Sequence, residues 1–105
     1  MVDIIRVSSG SRTRSVAGAI AEVVRGQGRV GVQALGAGAV NQAVKAVAIA
    51  RVYLHSDGIE VVCIPMFVDV TVGDDQRTAL RLIVERAGGP PYDEGDAVFQ
   101  GPAPA

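Results

Sequence analysis

The sequence is poor in the residues from which most catalytic and metal sites are built. Its 105 residues contain one histidine, one cysteine, one lysine and no tryptophan. A single cysteine excludes an intrachain disulfide, and a lone histidine and cysteine in different segments lack the spacing of a zinc site. His55 lies in the turn-forming stretch HSDG, where backbone capping accounts for it. We therefore expect no catalytic residues, metal or cofactor, and predict that the protein is not an enzyme.

The sequence also lacks a strong charge of either sign and a long apolar run. Ten basic and eleven acidic side chains give a formal charge of -1, which favours neither a nucleic-acid binder nor a membrane-surface protein. No apolar run reaches the roughly 18 residues of a membrane-spanning helix, and the start MVDIIRV does not resemble a secretory signal. We expect no membrane contact and a reducing cytoplasm, with Cys63 buried as a small hydrophobic residue.

Composition divides the chain into two parts. Residues 1–86 hold all ten basic residues and eight acidic ones, a net charge of +2, whereas the remaining residues hold three acids and no base. The length predicts one domain over residues 1–86. Residues 87–105 are rich in glycine, proline and acids, and we predict an extended mobile tail there.

The hydrophobic periodicity predicts six elements in the order β-α-β-α-β-β. The four strands are predicted at residues 2–8, 29–36, 59–72 and 77–85, with one helix before and one after the second strand. We expect Gly26 and Gly28 to end the first helix, and a hydroxyl of Ser11, Thr13 or Ser15 to cap its start. Pro65 indicates an edge position or a bulge in the third strand. The pattern predicts an α+β domain, a two-layer sandwich of a mixed four-stranded sheet with two helices on one face.

The second helix opens with Gly36-Ala37-Gly38, which invites a dinucleotide-binding interpretation. The third glycine of that motif would stand at position 41, which is Asn41. Close packing of the helix start against the sheet is the better interpretation.

A helical projection of this second helix places three polar residues on one side near its start: Asn41, Gln42 and Lys45. Further along, the same side carries three apolar residues that a monomer would leave in water: Ala48, Ile49 and Val52. An exposed apolar patch indicates a partner surface, and small residues such as Ala46 and Ala48 would let another helix approach closely. We predict a two-fold homodimer through this side of the helix.

Arg12 and Arg14 lie in the stretch SSGSRTRS between the first strand and the first helix. Arginine forms bidentate contacts with phosphate, and a helix N-terminus favours an anion. An exposed polar loop without a ligand explains the same residues, and both interpretations stay open at this point.

Four stretches resemble, in order and spacing, the stage V sporulation protein S family of small bacterial proteins. They are VSSGSRTRSVAGAIA, QALGAGAVNQAVKAVAIAR, CIPMFVDV and RTALRLIVE, and together they cover residues 2–86. The resemblance implies a developmental or regulatory role, which in spore formers concerns septation and coat assembly.

That family in turn looks like the Alba-type fold of dimeric chromatin and RNA-binding proteins. The resemblance implies that the loop after the first strand, the start of the second helix and the last hairpin contact nucleic acid. The corresponding residues here are Arg12, Arg14, Asn41, Gln42, Lys45 and Arg77. The chain departs from the Alba pattern by having Gly38 and Gln42 where Alba sequences have cations, and acids at positions 74 and 75. Fewer cations imply weaker and less salt-dependent binding.

These observations predict a regulatory protein that binds the phosphate backbone of DNA or RNA with low sequence specificity, as a homodimer or higher homo-oligomer. The alternative is a protein-protein adaptor that recruits another regulator and does not bind nucleic acid.

Overall fold

The computed structural model describes residues 2–88, and the six elements follow the predicted order. They are β1 (Ile4–Val7), α1 (Thr13–Gln27), β2 (Arg29–Ala34), α2 (Ala37–His55), β3 (Val61–Val72) and β4 (Asp75–Arg86). The α+β class is therefore confirmed. Apart from Ala87 and Gly88, the predicted C-terminal tail lies outside the described residues.

The four strands form one mixed sheet in the order β1-β2-β4-β3. β1 is parallel to β2, whereas β4 is antiparallel to both β2 and β3. β3 is an edge strand, which agrees with the edge position that Pro65 indicated. Its register with β4 runs without a bulge through the pair Pro65 and Leu82. An edge strand tolerates proline because one of its two sides needs no backbone donors.

Both helices cover the same face of the sheet, as predicted. Alternate residues of the two central strands point to this face, in the pairs Val30 with Val84 and Val32 with Leu82. They join one buried cluster with helix residues such as Ile20 and Leu54. Burial of these apolar side chains is the main force that holds the two layers together. We call the covered face the helix face and the opposite one the open face.

The first helix begins at Thr13, so Arg14 lies in its first turn and not in the loop where the sequence placed it. Arg12 is the N-cap residue and makes no side-chain capping bond, so the predicted hydroxyl cap is wrong. The helix ends at Gly28, which adopts a φ of 86° and donates its N–H to the Val24 carbonyl oxygen. This left-handed cap confirms Gly28 as the stop signal, since glycine takes positive φ without steric cost.

The second helix packs against α1 as well as against the sheet, and this decides which of its sides is buried. Its buried residues are Ala39, Ala43, Ala46, Ala50 and Leu54. Ala46 is fully buried, so the prediction that it faces a partner molecule is wrong. Ile49 is half-buried and packs against the core, so the prediction that a monomer leaves it in water is also wrong. Short alanine side chains let the two helices approach closely within one molecule.

Candidate nucleic-acid interface

Three connections meet at one end of the molecule, which we call the loop end. Because β1, β2 and β3 run in the same direction, their C-terminal ends lie at the same end of the sheet. The segment 8–12 follows β1, Leu35 and Gly36 follow β2, and the β3–β4 turn follows β3. The hairpin projects from the sheet there, because its pairs continue to Val72 and Asp75 beyond the last β2–β4 pair.

The segment 8–12 is a tight turn fixed to the start of α2. The Ser8 N–H donates to the Ser11 hydroxyl at 2.9 Å, and the Ser11 N–H donates to the Ser8 carbonyl oxygen at 3.1 Å. Gln42 Nε2 donates to the Ser11 carbonyl oxygen at 2.9 Å. A Cβ atom at Gly38 would stand only 3.0 Å from the Ser9 Cβ. The glycine-rich helix start therefore packs closely against this turn, whereas the sequence had predicted packing against the sheet.

Arg12 and Arg14 are both exposed beside this turn. Neither belongs to any of the ion pairs found among residues 2–88. The first turn of α1 contains no acidic residue, so the positive end of the helix dipole is not neutralised by its own side chains. Two guanidinium groups and a helix N-terminus thus present positive charge at a rigid position.

The remaining predicted contact residues are less uniform. Asn41 is exposed, whereas Gln42 and Lys45 are half-buried. Gln42 donates a side-chain N–H to the Ser11 carbonyl oxygen, so at least part of its role is to hold the turn in place. Arg77 is exposed on the projecting hairpin opposite Val70. Strand alternation places Arg77 on the open face, so the structure does not bring it to the side of the sheet that carries Arg12 and Arg14.

Sequence reasoning missed a cleft on the open face at the loop end. Its volume is about 460 Å³, and it is lined by Arg6, Val7, Gln33, Leu35, Val70, Thr71, Val72 and Ala79. Arg81 donates to the Gln33 side-chain oxygen through Nε at 3.0 Å and Nη2 at 2.7 Å. Arg6 is exposed at this cleft. The only sequence signal for Arg6 was its position between the apolar residues Ile5 and Val7. This alternation places Arg6 on the side of β1 away from the core.

An exposed apolar surface lies between α2 and the edge strand β3, and we call it the α2–β3 surface. Val44, Ala48 and Cys63 line a groove between the two elements. We include in this surface the exposed Val52 of α2 and the exposed residues Pro65 and Phe67 on the same face of β3 as Cys63. The predicted interface residues Ala48 and Val52 belong to it, whereas Val44 and Phe67 were not predicted. Phe67 is 80% exposed, an unusual position for a large aromatic side chain.

Cys63 lies on this surface and is exposed, so the prediction of a buried cysteine is wrong. The surrounding apolar side chains still raise the pKa of its thiol, because desolvation disfavours the thiolate. The thiol therefore stays protonated at neutral pH and behaves as part of the apolar surface.

Neither helix within residues 2–88 combines the length and apolarity needed to cross a bilayer. In the same part of the chain, no three histidine, cysteine or acidic side chains gather in a way that could hold a metal ion.

Comparison with known proteins supports the fold and gives the family. The structure is similar to that of Alba from Thermoplasma volcanium, with a TM-score of 0.53 and 17% sequence identity, over 80% of this chain and 100% of that one. At this identity the similarity shows the fold alone, which is Alba-like. Residues 3–87 match the family described as stage V sporulation protein S (SpoVS). The chain therefore belongs to the stage V sporulation protein S family.

Proposed function

We propose that this protein is a non-enzymatic regulator that binds the phosphate backbone of DNA or RNA at its loop end, with low sequence specificity and as a homodimer. The observation that carries the proposal is the pair Arg12 and Arg14, exposed and outside the described ion pairs, on a turn that hydrogen bonds hold against α2. Family membership supports a regulatory role of the sporulation type.

The chemistry of the loop end suits backbone contacts better than base recognition. Guanidinium groups and helix N-termini bind phosphate oxygens regardless of sequence. The aromatic residues among residues 2–88 are Tyr53 and Phe67, and both lie outside the three loop-end connections. A stacking platform for single-stranded bases is therefore missing from this part of the chain.

The α2–β3 surface supports dimerisation. Val44, Val52 and Phe67 are apolar and exposed in the monomer, and a second copy is the simplest partner for such a surface. A two-fold dimer would display Arg12 and Arg14 twice. Doubling the number of phosphate contacts strengthens binding without requiring any base contact.

Replacement of both Arg12 and Arg14 by alanine is expected to weaken binding by a similar factor on all sequences. A plot of log affinity against log salt concentration has a negative slope. Each lost phosphate contact should make this slope shallower by about 0.9 on duplex DNA, so the two changes reduce its magnitude by roughly 2 per protomer. Fluorescence anisotropy with two unrelated labelled duplexes at several salt concentrations measures both quantities.

The matched control replaces Arg25 and Arg29 by alanine. These exposed arginines lie at the end opposite the loop end and pair with Asp57 and Glu85. This variant should bind almost as the wild type does. Equal losses in the two double variants would contradict a localised site, and unchanged affinity in the Arg12 and Arg14 variant would remove these residues from the interface.

The adaptor function is the competing proposal, and the 80% exposure of Phe67 favours it in one respect. A large exposed aromatic residue suits a protein partner better than a phosphate backbone. If the wild-type protein binds neither duplex DNA nor RNA at low salt, nucleic-acid binding is contradicted and the adaptor function is favoured.

Val52→Glu is expected to halve the mass of the assembly in solution. The change places a charge on the exposed apolar side of α2 without touching the core, so the monomer should fold normally. Multi-angle light scattering measures the mass. Ala19→Glu, at an exposed position of α1, is the control and should keep the wild-type mass. Ile49→Glu is unsuitable because Ile49 packs against the core.

A further inference from the structure

We propose that the open face of the sheet is a second self-association surface, which packs against the open face of another copy about a two-fold axis and joins two of the proposed dimers into a tetramer. The proposal does not depend on nucleic-acid binding. The edge strand β3 contains the sequence VVCIPMFV, which is apolar at every position. An edge strand with one face in water normally alternates apolar and polar residues, whereas an unbroken apolar run is typical of a strand that is covered on both faces.

In the observed register, β3 exposes apolar side chains on both of its faces. Cys63, Pro65 and Phe67 are on the helix face, where they contribute to the α2–β3 surface. The alternate residues Val62, Ile64 and Met66 are on the open face and are 42–45% exposed. A dimer through the α2–β3 surface would cover the first set only, so the second set calls for another partner.

The centre of the open face is a level apolar row that crosses all four strands. The register aligns Ile4, Gly31, Ile83 and Ile64 in this row. Gly31 lets the Ile4 side chain lie flat across the sheet, since a Cβ atom at Gly31 would stand 2.6 Å from Ile4 Cδ1. Ile83 is only 6% exposed beneath its neighbours. Level apolar faces of this kind pack face to face at a spacing of about 10 Å.

The rows on either side of this central row identify the partner as a second copy. One flanking row carries Arg6, Gln33, Arg81 and Met66, and the other carries Arg29, Glu85 and Val62. A two-fold axis along the central row exchanges the two flanking rows. It places Arg81 of one copy over Glu85 of the other, and Met66 over Val62.

The face is therefore complementary to itself at two positions, where Arg81 meets Glu85 and Met66 meets Val62. A two-fold contact repeats each pair, so two Arg81–Glu85 contacts form per interface. An axis parallel to the strands and between β2 and β4 would instead place Arg81 over Gln33 and Glu85 over Arg29. Only the axis along the central row brings Arg81 to Glu85, so the two arrangements predict different results when both charges are reversed.

A charge-reversal series tests the proposal. The single variants Arg81→Glu and Glu85→Arg should each halve the mass measured by light scattering, because each creates two like-charge contacts at the interface. The double variant carrying both changes restores two opposite-charge contacts and should recover the wild-type mass. Within one molecule, Arg81 and Glu85 are four residues apart on an extended strand, too far for a direct ion pair.

The comparison of Glu85→Arg with the double variant isolates the contact between copies. Both lose the exposed pair between Arg29 and Glu85, whose atoms are 3.7 Å apart, so this loss cancels. Circular dichroism confirms that each variant is folded. Absence of recovery in the double variant overturns the proposed axis.

Ile64→Lys provides a second and independent measurement. Ile64 is exposed, so the fold should be kept, and a lysine on the axis should halve the mass. If this variant keeps the wild-type mass, the open face is not an interface between copies, and the proposal is overturned. The masses of these open-face variants are independent of the proposed function. Val52→Glu tests the α2–β3 surface, and the Arg12 and Arg14 variant tests nucleic-acid binding.

Discussion

Replacement of Leu54 by alanine should lower the free energy of unfolding by about 3 kcal/mol, within the 2–5 kcal/mol range of such core truncations. Leu54 is fully buried in the last turn of α2 and belongs to the cluster between the two layers. Truncation removes its apolar contacts and leaves a cavity that the surrounding strands and helices fill only in part. A domain of this size has a total stability of roughly 5–15 kcal/mol, so the loss is a large fraction of it.

Urea unfolding followed by circular dichroism measures this change, with His55→Ala as the control. His55 is the next residue, is exposed, and ends the same helix. Its replacement should change the free energy of unfolding by about 0.5 kcal/mol or less. The backbone bonds of the helix end, including those from Asp57 and Ile59 to the Leu54 carbonyl oxygen, remain in both variants. Equal losses in the two variants would contradict the assignment of Leu54 to the core.

The sequence predicted the order of the elements because the signals are local. Alternation of β-branched residues indicates a strand, and a glycine such as Gly28 ends a helix through its own φ angle. The order of the strands in the sheet depends on which of them pair over long distances in the chain. The insertion of β4 between β2 and β3, seen in the pairing of Val30 with Val84, had no local signal.

The buried side of α2 was predicted only in part. Ala48 and Val52 were assigned outwards and are exposed. Ala46 and Ile49 were assigned outwards, although both contact the rest of the molecule. A helix with apolar residues on nearly all sides gives little contrast in a helical projection. Its orientation is set by α1 and the sheet together, which the sequence of α2 does not contain.

The candidate site shows the same division. The exposure of Arg12 and Arg14 was predictable because a connection between a strand and a helix lies at the surface, where the strands end. The side of the sheet on which Arg77 lies follows from the hairpin register, and the exposure of Phe67 follows from the edge position of β3. Both require the strand pairing, so the sequence alone could not separate one face from the other.

Replacement of Ala46 by glutamate should abolish cooperative folding. Ala46 is fully buried in α2 within the core cluster. A glutamate side chain there would be larger than the space available and would carry a charge or an unsatisfied carboxyl group into an apolar environment. Overpacking and burial of a charge together cost more than the 4–5 kcal/mol that marks exceptional substitutions. Thermal unfolding followed by circular dichroism should show no sharp transition.

Ala48→Glu, two residues further along α2, makes the same chemical change at an exposed position and serves as the control. This variant should unfold cooperatively near the wild-type temperature, yet it should lose mass in light scattering because Ala48 lies on the α2–β3 surface. The two variants thus separate the side of the helix that packs within the monomer from the side that we propose to meet a second copy. A folded Ala46→Glu variant with reduced mass would instead return Ala46 to the partner surface that the helical projection predicted, and would contradict the packing of α2 described above.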